Sequence, residues 1–368
     1  MNDRKGLITA NELTCLLIGI LIDINITMTP NSVVAISKQD GWISMALGAV
    51  YPLYVALIAI YVSRKFPNDN ILVLSKRYFG SVIGNVLNFL FFISFFSYFP
   101  AAYFNATLIL RTHIIPFVSP FKVYLVITLI GAYTAYKGLK VLARIGIISF
   151  FLLIVIMLVS LAILFYGSIL NVMPIFGVGA KDIIYGSKNT IYDYALFEWI
   201  FLLYPFINDK NKIKDSAFKA IAFCCFVYTW VVFIAIYYLG IDMIKKTIWG
   251  FFSATESIRV DVITSFRYVF VFIWVLIALK SISYSYYICI DILRNINKNL
   301  NKKLNSIFVF IIMGSIVIFI TKVYYPNRLV KDEIVNFTTK ASTIYNLFFI
   351  TLIAVIIIIK KDDKCEKI

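Results

Sequence analysis

The sequence predicts an all-α integral membrane protein with ten transmembrane helices arranged as two inverted repeats of five. Three observations carry this prediction. Hydrophobic residues make up 61% of the 368 residues and charged residues only 15%, whereas soluble domains average roughly 25% charged residues. Ten apolar stretches have the length of a membrane-spanning helix. The first and the sixth of these stretches are interrupted by polar residues.

Each apolar stretch is about 20 residues long, the length that an α-helix needs to cross roughly 30 Å of hydrocarbon. The stretches lack the alternation of polar and apolar residues that β-barrel strands show, so a helical bundle is predicted. The first stretch has no small-residue cleavage site, so we expect no cleavable signal peptide. The predicted spans cover residues 13–36, 42–63, 82–110, 121–139, 144–167, 187–207, 216–241, 262–290, 305–325 and 343–360.

Basic residues are distributed unequally between the two sides of the predicted bundle. With the N-terminus inside, 21 Lys and Arg residues lie on the inner side, 13 lie on the outer side, and Lys280 alone lies deep within a span. Because cytoplasmic loops are enriched in basic residues, short N- and C-terminal tails are predicted in the cytoplasm. Topology and contact with anionic lipid headgroups then explain the net charge of +16, and no nucleic-acid partner is expected.

No constellation in the sequence indicates an enzyme, a cofactor site or a metal site. His113 is the only histidine, and the five cysteines have neither metal-ligand nor disulfide spacing. Nucleotide-binding and Ser/His/Asp patterns are also missing from the sequence. Two loops carry apolar residues. Residues 66–79 predict a short helix at the cytoplasmic interface, and residues 242–261 predict a partly embedded outer helix that either caps a cavity or anchors in the interface.

The first predicted span contains the polar segment 23–32, which includes Asp23 and Pro30. An aspartate inside the membrane costs on the order of 3 kcal/mol on insertion scales, and proline removes a helical hydrogen bond. An interrupted helix whose freed backbone groups line a protected cavity explains both residues. The alternative is a short, tilted helix from which Asp23 points into solvent.

The sixth predicted span contains two acids, Asp193 and Glu198, in an otherwise apolar run that closes with Tyr204 and Pro205. Spans 1 and 6 each open a set of five helices, so the interruptions lie at matching places in two repeats, about 13–167 and 187–360, of a single transmembrane domain. Interrupted helices at such places are typical of inverted-repeat transporters, in which helix ends and free carbonyls face the ligand. An amino-acid zwitterion matches that geometry.

The eighth span carries Lys280, followed by Ser283 and Tyr284. A buried ammonium requires a counter-charge, and the candidates are Asp23, Asp193 and Glu198. We therefore predict that Lys280 pairs with one of these acids or replaces a coupling cation near it. The alternative is that Lys280 extends toward the cytoplasmic boundary from a tilted helix.

The third span contains Tyr98, Pro100, Tyr103 and Asn105. Pro100 predicts a kink in this helix. Tyrosines at that depth require hydrogen-bond partners, which a polar cavity would provide, although aromatic packing is the commoner role.

Several short pieces of the sequence resemble one known family. Asp40-Gly41-Trp42-Ile43-Ser44 opens span 2, Arg64-Lys65-Phe66-Pro67 closes it, and Phe197-Glu198 lies in the interrupted span 6. Together with ten spans, these pieces resemble the B subunit of bacterial spore germinant receptors, the GerA-type spore germination permease family of the amino acid-polyamine-organocation (APC) transporter superfamily. The resemblance covers nearly the whole chain.

The resemblance implies a LeuT/APC-like bundle in the spore inner membrane that binds a nutrient germinant, often an amino acid. It also implies two partners, an A subunit and a lipoprotein C subunit. Permeases of the superfamily usually have small residues, often glycine, around the unwound parts of spans 1 and 6. Here Ala195-Leu196-Phe197 stands where a Gly-Phe-Glu type of motif would place glycine, which narrows the space for a ligand backbone.

The predicted function is nutrient sensing, with ligand held near the membrane midplane between interrupted helices 1 and 6 and helices 3 and 8. Glu198 and Lys280 are predicted to form the charge pair that senses the ligand, with Asp193 contributing to charge coupling. The alternatives are a proton-coupled amino-acid permease, in which Glu198 or Asp193 titrates, and a scaffold for partner subunits. The candidate ligand-binding residues are Asp23, Ile24, Asn25, Thr27, Tyr98, Tyr192, Ala195, Leu196, Phe197, Ser283 and Tyr284.

Overall fold

The computed structural model describes residues 7–256, 266–296 and 307–360. These residues are helical or lie in turns between helices, apart from a parallel bridge between Ile8 and Ile207. In this bridge the N–H of Ile8 donates to the carbonyl of Phe206 at 2.9 Å, and the N–H of Asn208 donates to the carbonyl of Ile8 at 3.0 Å. The all-α prediction is confirmed over this part of the chain.

The α-helices are numbered in chain order, and short 3₁₀ turns join several of them. The described helices are α1 (Ala10–Leu21), α2 (Thr29–Ser37), α3 (Gly41–Gly48), α4 (Val50–Lys65), α5 (Ile71–Phe96), α6 (Tyr98–His113), α7 (Pro120–Tyr136), α8 (Leu139–Ser160), α9 (Ala180–Thr190), α10 (Ile200–Leu203), α11 (Ile213–Lys246), α12 (Gly250–Thr255), α13 (Phe266–Ile296), α14 (Ile307–Tyr324) and α15 (Arg328–Ile359).

Seven helical segments in the described ranges are long and apolar enough to cross a membrane, which does not confirm the predicted count of ten. Two further apolar segments, Ala10–Leu21 and Phe197–Phe206, are shorter because they belong to the interrupted spans 1 and 6. The seven segments are Thr29–Lys65, Ile71–His113, Leu139–Phe165, Lys210–Lys246, Tyr268–Ile296, Ile307–Tyr324 and Arg328–Ile359.

Two helices change direction at a glycine. In α5, Gly80 has φ 78°, so residues 71–79 form a separate short helix before the long membrane segment. In α11, Gly240 has φ 69° and separates the last turns from the rest. Glycine adopts positive φ without the clash that a Cβ atom introduces. The short helix predicted within residues 66–79 is thereby confirmed, and the side chain of Asn70 caps it by accepting from the N–H of Val73 at 3.0 Å.

The bundle core is formed by helices that are distant in sequence. Helix α1 packs mainly against α8 and α11, α13 against α5 and α7, and α15 against α5. At its start α1 has a capping box between Thr9 and Glu12. The Glu12 carboxylate also accepts from the Lys140 ammonium of α8 at 2.7 Å. The first helix is thus anchored at the end remote from its interruption.

The Asp40-Gly41-Trp42-Ile43-Ser44 motif connects α3 to the segment around α9. The buried Asp40 carboxylate accepts from the N–H groups of Phe176 at 2.8 Å and Val178 at 3.2 Å. The Ser44 hydroxyl donates to the carbonyl of Ile183 at 2.9 Å. These bonds hold the approach to the sixth span against the start of the second, so this motif has a structural role here.

A short helix, α12, lies in the loop predicted to contain a partly embedded helix. It packs against α2, α11 and the 3₁₀ turn Ile24–Thr27, and Phe251 and Phe252 are buried. Asn31 of α2 joins the segment, because its amide donates to the carbonyl of Thr247 at 2.9 Å and its Oδ1 accepts from the N–H of Gly250 at 2.9 Å. The helix therefore covers the first interruption, as expected of a capping segment.

Candidate functional site

The first span is interrupted between α1 and α2, as predicted. Helix α1 ends at Leu21, Ile22 has extended backbone, and a 3₁₀ turn runs from Ile24 to Thr27. The Asp23 carboxylate caps this turn by accepting from the N–H of Asn25 at 2.8 Å and from its side-chain amide at 3.0 Å. Helix α2 then begins with Pro30 in its first turn, where proline is well tolerated. The polar segment thus produces the interruption by local capping.

The sixth span is interrupted at Ala195 and Leu196. A 3₁₀ turn ends at Tyr194, Ala195 is extended, and Leu196 has φ 74° in the left-handed region. Leu196 is one of three residues other than glycine with positive φ in the described ranges. A left-handed conformation costs an ordinary L-residue roughly 1–2 kcal/mol, so surrounding contacts must compensate for this strain.

The two interruptions meet through Tyr228 of α11. Its hydroxyl lies 2.6 Å from the carbonyl of Leu21, to which it donates, and 3.2 Å from the carbonyl of Asp193. Thr29 adds a second link, because its hydroxyl donates to the Asp193 carboxylate at 3.4 Å. Tyr228 was not among the predicted site residues, since a tyrosine in a continuous apolar helix carries no distinguishing sequence signal.

A small cavity of about 40 Å³ lies between the two interruptions. At roughly 10–15 Å³ for each enclosed water, it has room for about three waters in this conformation. Tyr98 contributes to the wall from α6, and its hydroxyl lies close to the Thr339 and Thr343 hydroxyls of α15. The cavity is lined by Ile20, Leu21, Asp23, Asn25, Tyr98, Tyr192, Asp193, Ala195 and Leu196.

Seven of the predicted site residues line this cavity, and the others lie elsewhere. Ile24, Thr27 and Phe197 are buried beside the lining. The Ser283 hydroxyl donates to the carbonyl of Leu279 in its own helix at 2.7 Å. Tyr284 donates to the carbonyl of Leu142 at 3.2 Å. The predicted eighth span, which is helix α13, therefore meets the first interruption through Lys280, and not through Ser283 or Tyr284.

Lys280 is almost completely buried, with 1% exposure, and donates to the carbonyl of Ile22 at 2.8 Å. Ile22 is the residue that caps the C-terminal end of α1, so its carbonyl lacks an intrahelical donor. Within the described ranges, no carboxylate lies close enough to Lys280 for an ion pair, although Asp23 is near enough to interact with it through space. The predicted direct pair with Glu198 is not formed, because Lys280 is directed to the freed backbone.

Glu198 is fully buried and binds to different elements. One carboxylate oxygen accepts from the Tyr51 hydroxyl of α4 and from the Asn346 amide of α15, the latter at 3.3 Å. The other oxygen has no hydrogen-bond partner among the described atoms. Buried polar atoms are normally paired, so the Glu198 carboxylate has unused hydrogen-bonding capacity.

A chain of polar side chains leads from the cavity to α15. Asn25 Oδ1 accepts from the Asn105 amide at 2.7 Å, and Asn105 Oδ1 accepts from the Lys331 ammonium at 3.2 Å. Lys331 is buried and also forms an ion pair with Asp332. Sequence reasoning noted Asn105 but assigned Lys331 to a loop, because Lys331 precedes the predicted tenth span.

The comparison with protein families decides to which family the chain belongs. A family model described as "Spore germination protein", the spore permease family, matches residues 7–328. The chain belongs to this family. It is thus a multi-pass membrane protein of a receptor and permease-like family, which is not a class of enzymes.

Relatives of this chain include two Bacillus proteins. Spore germination protein GerQB of Bacillus cereus is 23% identical over 291 residues, which cover 79% of each chain. Spore germination protein KB of Bacillus subtilis (strain 168) is 22% identical over 273 residues, which cover 70% of each chain.

Two solved transporters have a similar fold. Mhp1, a nucleobase-cation-symport-1 family transporter in a closed conformation, matches with a TM-score of 0.68 and 10% identity, covering 89% of this chain and 74% of its own. A Na⁺-coupled sialic acid symporter, in a substrate-bound outward-open state, matches with a TM-score of 0.58 and 13% identity. The match covers 95% of this chain and 77% of the symporter. At this identity the likeness shows the fold alone, an APC-like membrane fold.

Proposed function

We propose that this spore germination protein is the nutrient-sensing subunit of a germinant receptor complex, and that its germinant binds between the interruptions of spans 1 and 6. The observation that carries the proposal is the cavity at that place, into which Asp23 and Asp193 bring two carboxylates. Polar groups that converge in a cavity at the midplane of such a fold are the usual ligand contacts.

The chemistry of the cavity favours a ligand with an ammonium group. Asp23 and Asp193 are acceptors when ionised, and the nearby Lys280 is already bound to the Ile22 carbonyl. Tyr98, which lines the cavity, and the N-terminal end of the turn that starts at Phe197 are suited to a carboxylate. An amino acid has both groups at a short separation.

Ligand entry requires the cavity to open. A volume of about 40 Å³ is far below the roughly 300 Å³ at which small-molecule pockets begin. Opening would separate the two interruptions and disturb the links that Tyr228 and Thr29 make between them. A ligand that binds only the open form shifts the bundle toward it, by as much as its affinity differs between the two forms. This shift is the proposed signal, with Lys280 and Glu198 as the charged groups that sense it.

The topology in this proposal is two five-helix inverted repeats, about 13–167 and 187–360, with both termini in the cytoplasm and the chain in the spore inner membrane. The interruptions at 22–28 and 195–196 support this arrangement, because each lies in the first helix of its repeat. An A subunit and a lipoprotein C subunit are the proposed partners.

A thermal-shift assay on the purified full chain tests ligand binding. A ligand at 100 times its Kd stabilises the folded state by about 2.7 kcal/mol, so a panel of proteinogenic amino acids should reveal the germinant as a raised melting temperature. Asp193→Asn should abolish the rise, whereas Asp242→Asn, at an exposed position, should preserve it. A rise that survives Asp193→Asn would contradict the proposed cavity.

The second candidate function is a proton-coupled amino-acid permease, favoured by the two acids that line the cavity. Reconstitution into liposomes distinguishes the two functions. Binding without accumulation supports the receptor, and uptake driven by a pH gradient supports the permease. A third possibility, a scaffold role, predicts that Asp193→Asn alters neither ligand response nor assembly with the partner subunits.

A further inference from the structure

The two interrupted spans are paired backbone to backbone at one end of the bundle. The parallel bridge joins Ile8, just before α1, to Ile207, just after the 3₁₀ turn Tyr204–Phe206 that ends span 6. Both isoleucine side chains are buried. We call residues 7–9 together with residues 206–208 the strap. Because its two hydrogen bonds join main-chain atoms, no change of side-chain rotamer can release it.

Two further contacts hold the first strand of the strap to neighbouring helices. The Lys140 ammonium of α8 donates to the carbonyl of Leu7 at 3.2 Å. The Ser216 hydroxyl of α11 donates to the carbonyl of Ala10, directly after the strap, at 3.0 Å. Separation of the two strands would therefore also disturb contacts with α8 and α11.

Both chain segments that run from the strap to the cavity between the interruptions are buried. Apart from Glu198, the buried side chains of residues 13–20 and 197–203 are apolar. Leu13 and Ile20 are seven residues apart in α1, which corresponds to about 10 Å along a helix. A polar ligand loses its hydrogen bonds to water in such surroundings and finds few others. The strap end of the cavity is thus closed by an apolar layer and by paired backbone.

The opposite end of the cavity is closed by side-chain contacts. Asn25, which lines the cavity, is half-buried and accepts from the Asn105 amide of α6 at 2.7 Å. Lys331 of α15 donates to Asn105 from the other side. The short helix α12 lies over this end and is joined to α2 through the side chain of Asn31. Rotation of these side chains between staggered conformers can break the contacts without separating a backbone pair.

We propose that the cavity opens only at the end remote from the strap, and that the strap stays paired when it opens. The inference rests on the proposed function, in which a germinant enters this cavity, and adds the direction of entry. The germinant binds and leaves on the same side, so that binding and not passage is sensed. A permease requires its two ends to open in turn, which a fixed strap prevents.

One-sided access is tested by labelling a cysteine in the cavity wall. Ala195→Cys lies in that wall and is combined with Lys212→Cys or Lys245→Cys, two exposed positions at opposite ends of α11. The full-length double variants are reconstituted into liposomes, and a membrane-impermeant maleimide is added outside only. Intact-protein mass spectrometry counts the labels in each molecule, with the parent chain as the baseline. We expect two labels together with Lys245→Cys and only one with Lys212→Cys, whichever way a molecule is inserted.

A cross-link in the strap tests whether the strap stays paired. Neighbouring strands lie about 4.8 Å apart, and a disulfide bridges Cα distances of roughly 4.4–6.8 Å. The pair Ile8→Cys and Ile207→Cys should therefore form a disulfide on oxidation. The rate at which Ala195→Cys is labelled follows the population of the open form, so it should stay within about twofold of its value without the cross-link. Ile8→Cys alone is the matched control, because it loses the same side chain without a cross-link.

Four results would overturn the inference. Two labels in a molecule with Lys212→Cys would place the opening at the strap end, and no label at Ala195→Cys in either double variant would show that the remote end stays closed. Failure of the strap pair to oxidise would show that the strands are not paired. Labelling about tenfold slower in the oxidised pair than in Ile8→Cys would show that the strap separates on opening. None of these measurements uses a ligand, so they decide the direction of opening even where the thermal-shift panel identifies no germinant.

Discussion

The ammonium of Lys280 donates to the carbonyl of Ile22 at 2.8 Å, at the point where the first helix stops. The preceding carbonyl, that of Leu21, accepts from the Tyr228 hydroxyl at 2.6 Å. Two carbonyls freed by the interruption are thus satisfied by side chains from α13 and α11. Because an unpaired carbonyl in a membrane is costly, these two side chains hold the interruption in place.

Replacing Lys280 by Met should weaken the germinant response more than the stability of the fold. Loss of the donor to Ile22 costs about 1–3 kcal/mol, but the ammonium no longer has to be buried, which offsets this cost. We expect the germinant concentration for half-maximal response to rise at least about tenfold, equivalent to 1.4 kcal/mol. Spores carrying the variant are assayed for germination, and the purified chain for its melting temperature.

The matched control for this prediction is Lys322→Met, which removes an exposed lysine and should change neither quantity. Lys280→Arg retains a donor and should give a smaller loss of response than Lys280→Met. If Lys280→Met spores germinate like the parent spores, the carbonyl contact has no part in sensing.

The chain Asn25–Asn105–Lys331 predicts coupling between the cavity and α15. Hydrogen bonds between membrane helices contribute about 0.6 kcal/mol on average and about 1.7 kcal/mol at most. Asn105→Ala removes both bonds of the chain, so it should lower the free energy of unfolding by about 1–2 kcal/mol. Lys331→Met removes one of these bonds. In the double variant the two effects should not add, because they act on the same bond.

Reversible unfolding of the purified chain measures each of these free energies. Asn208→Ala, at an exposed position, is the control and should be neutral. Strict additivity of Asn105→Ala and Lys331→Met would show that the two residues act independently.

The positions of both interruptions could be predicted from the sequence, because their causes are local. Asp23 and Pro30 are visible as a polar segment in an apolar span, and Asp193 and Glu198 mark the second. The partner of Lys280 could not be predicted, since a freed backbone carbonyl has no sequence signature. We expected a carboxylate as the partner of the Lys280 ammonium, and the structure places the carbonyl oxygen of Ile22 there.

Contacts between distant elements were also beyond sequence reasoning. Asn105 and Lys331 are 226 residues apart, and their contact depends on how α6 and α15 pack. Similarly, Glu198 is satisfied by Tyr51 and Asn346 from two other helices. Only the packed bundle brings these residues together.

Asp40 should be required for the stability of the fold. Its carboxylate accepts from the N–H groups of Phe176 and Val178, and hydrogen bonds to a charged group contribute about 1.5–3 kcal/mol. Asp40→Asn retains one acceptor oxygen and should lose about half of this stabilisation, while Asp40→Ala should lose most of it. Urea unfolding of the purified variants measures the loss.

The control for Asp40 is Asp182→Asn, at an exposed nearby position, which should behave like the parent protein. Equal stability of Asp40→Asn, Asp40→Ala and Asp182→Asn would show that the two hydrogen bonds to Asp40 contribute nothing.

The left-handed backbone at Leu196 predicts that a glycine variant is more stable than an alanine variant, which reverses the usual order in a helix. At φ 74° an alanine Cβ introduces strain that glycine avoids. Leu196→Gly and Leu196→Ala both remove the side chain that lines the cavity, so the difference between them reports the backbone alone. We expect Leu196→Gly to be more stable by about 1 kcal/mol. At Leu202, in the short helix α10, alanine should instead be more stable than glycine by about 1 kcal/mol.

The same pair of variants also changes the cavity. Either substitution removes a large side chain from a wall that encloses about 40 Å³, so both should admit larger amino acids in the thermal-shift panel. Alanine keeps the strain of the positive φ in this closed form, whereas glycine relieves it, so opening costs less free energy in Leu196→Ala. Leu196→Ala is therefore expected to bind ligand more tightly than Leu196→Gly, and the reverse order in either stability or affinity would contradict a strained backbone at Leu196.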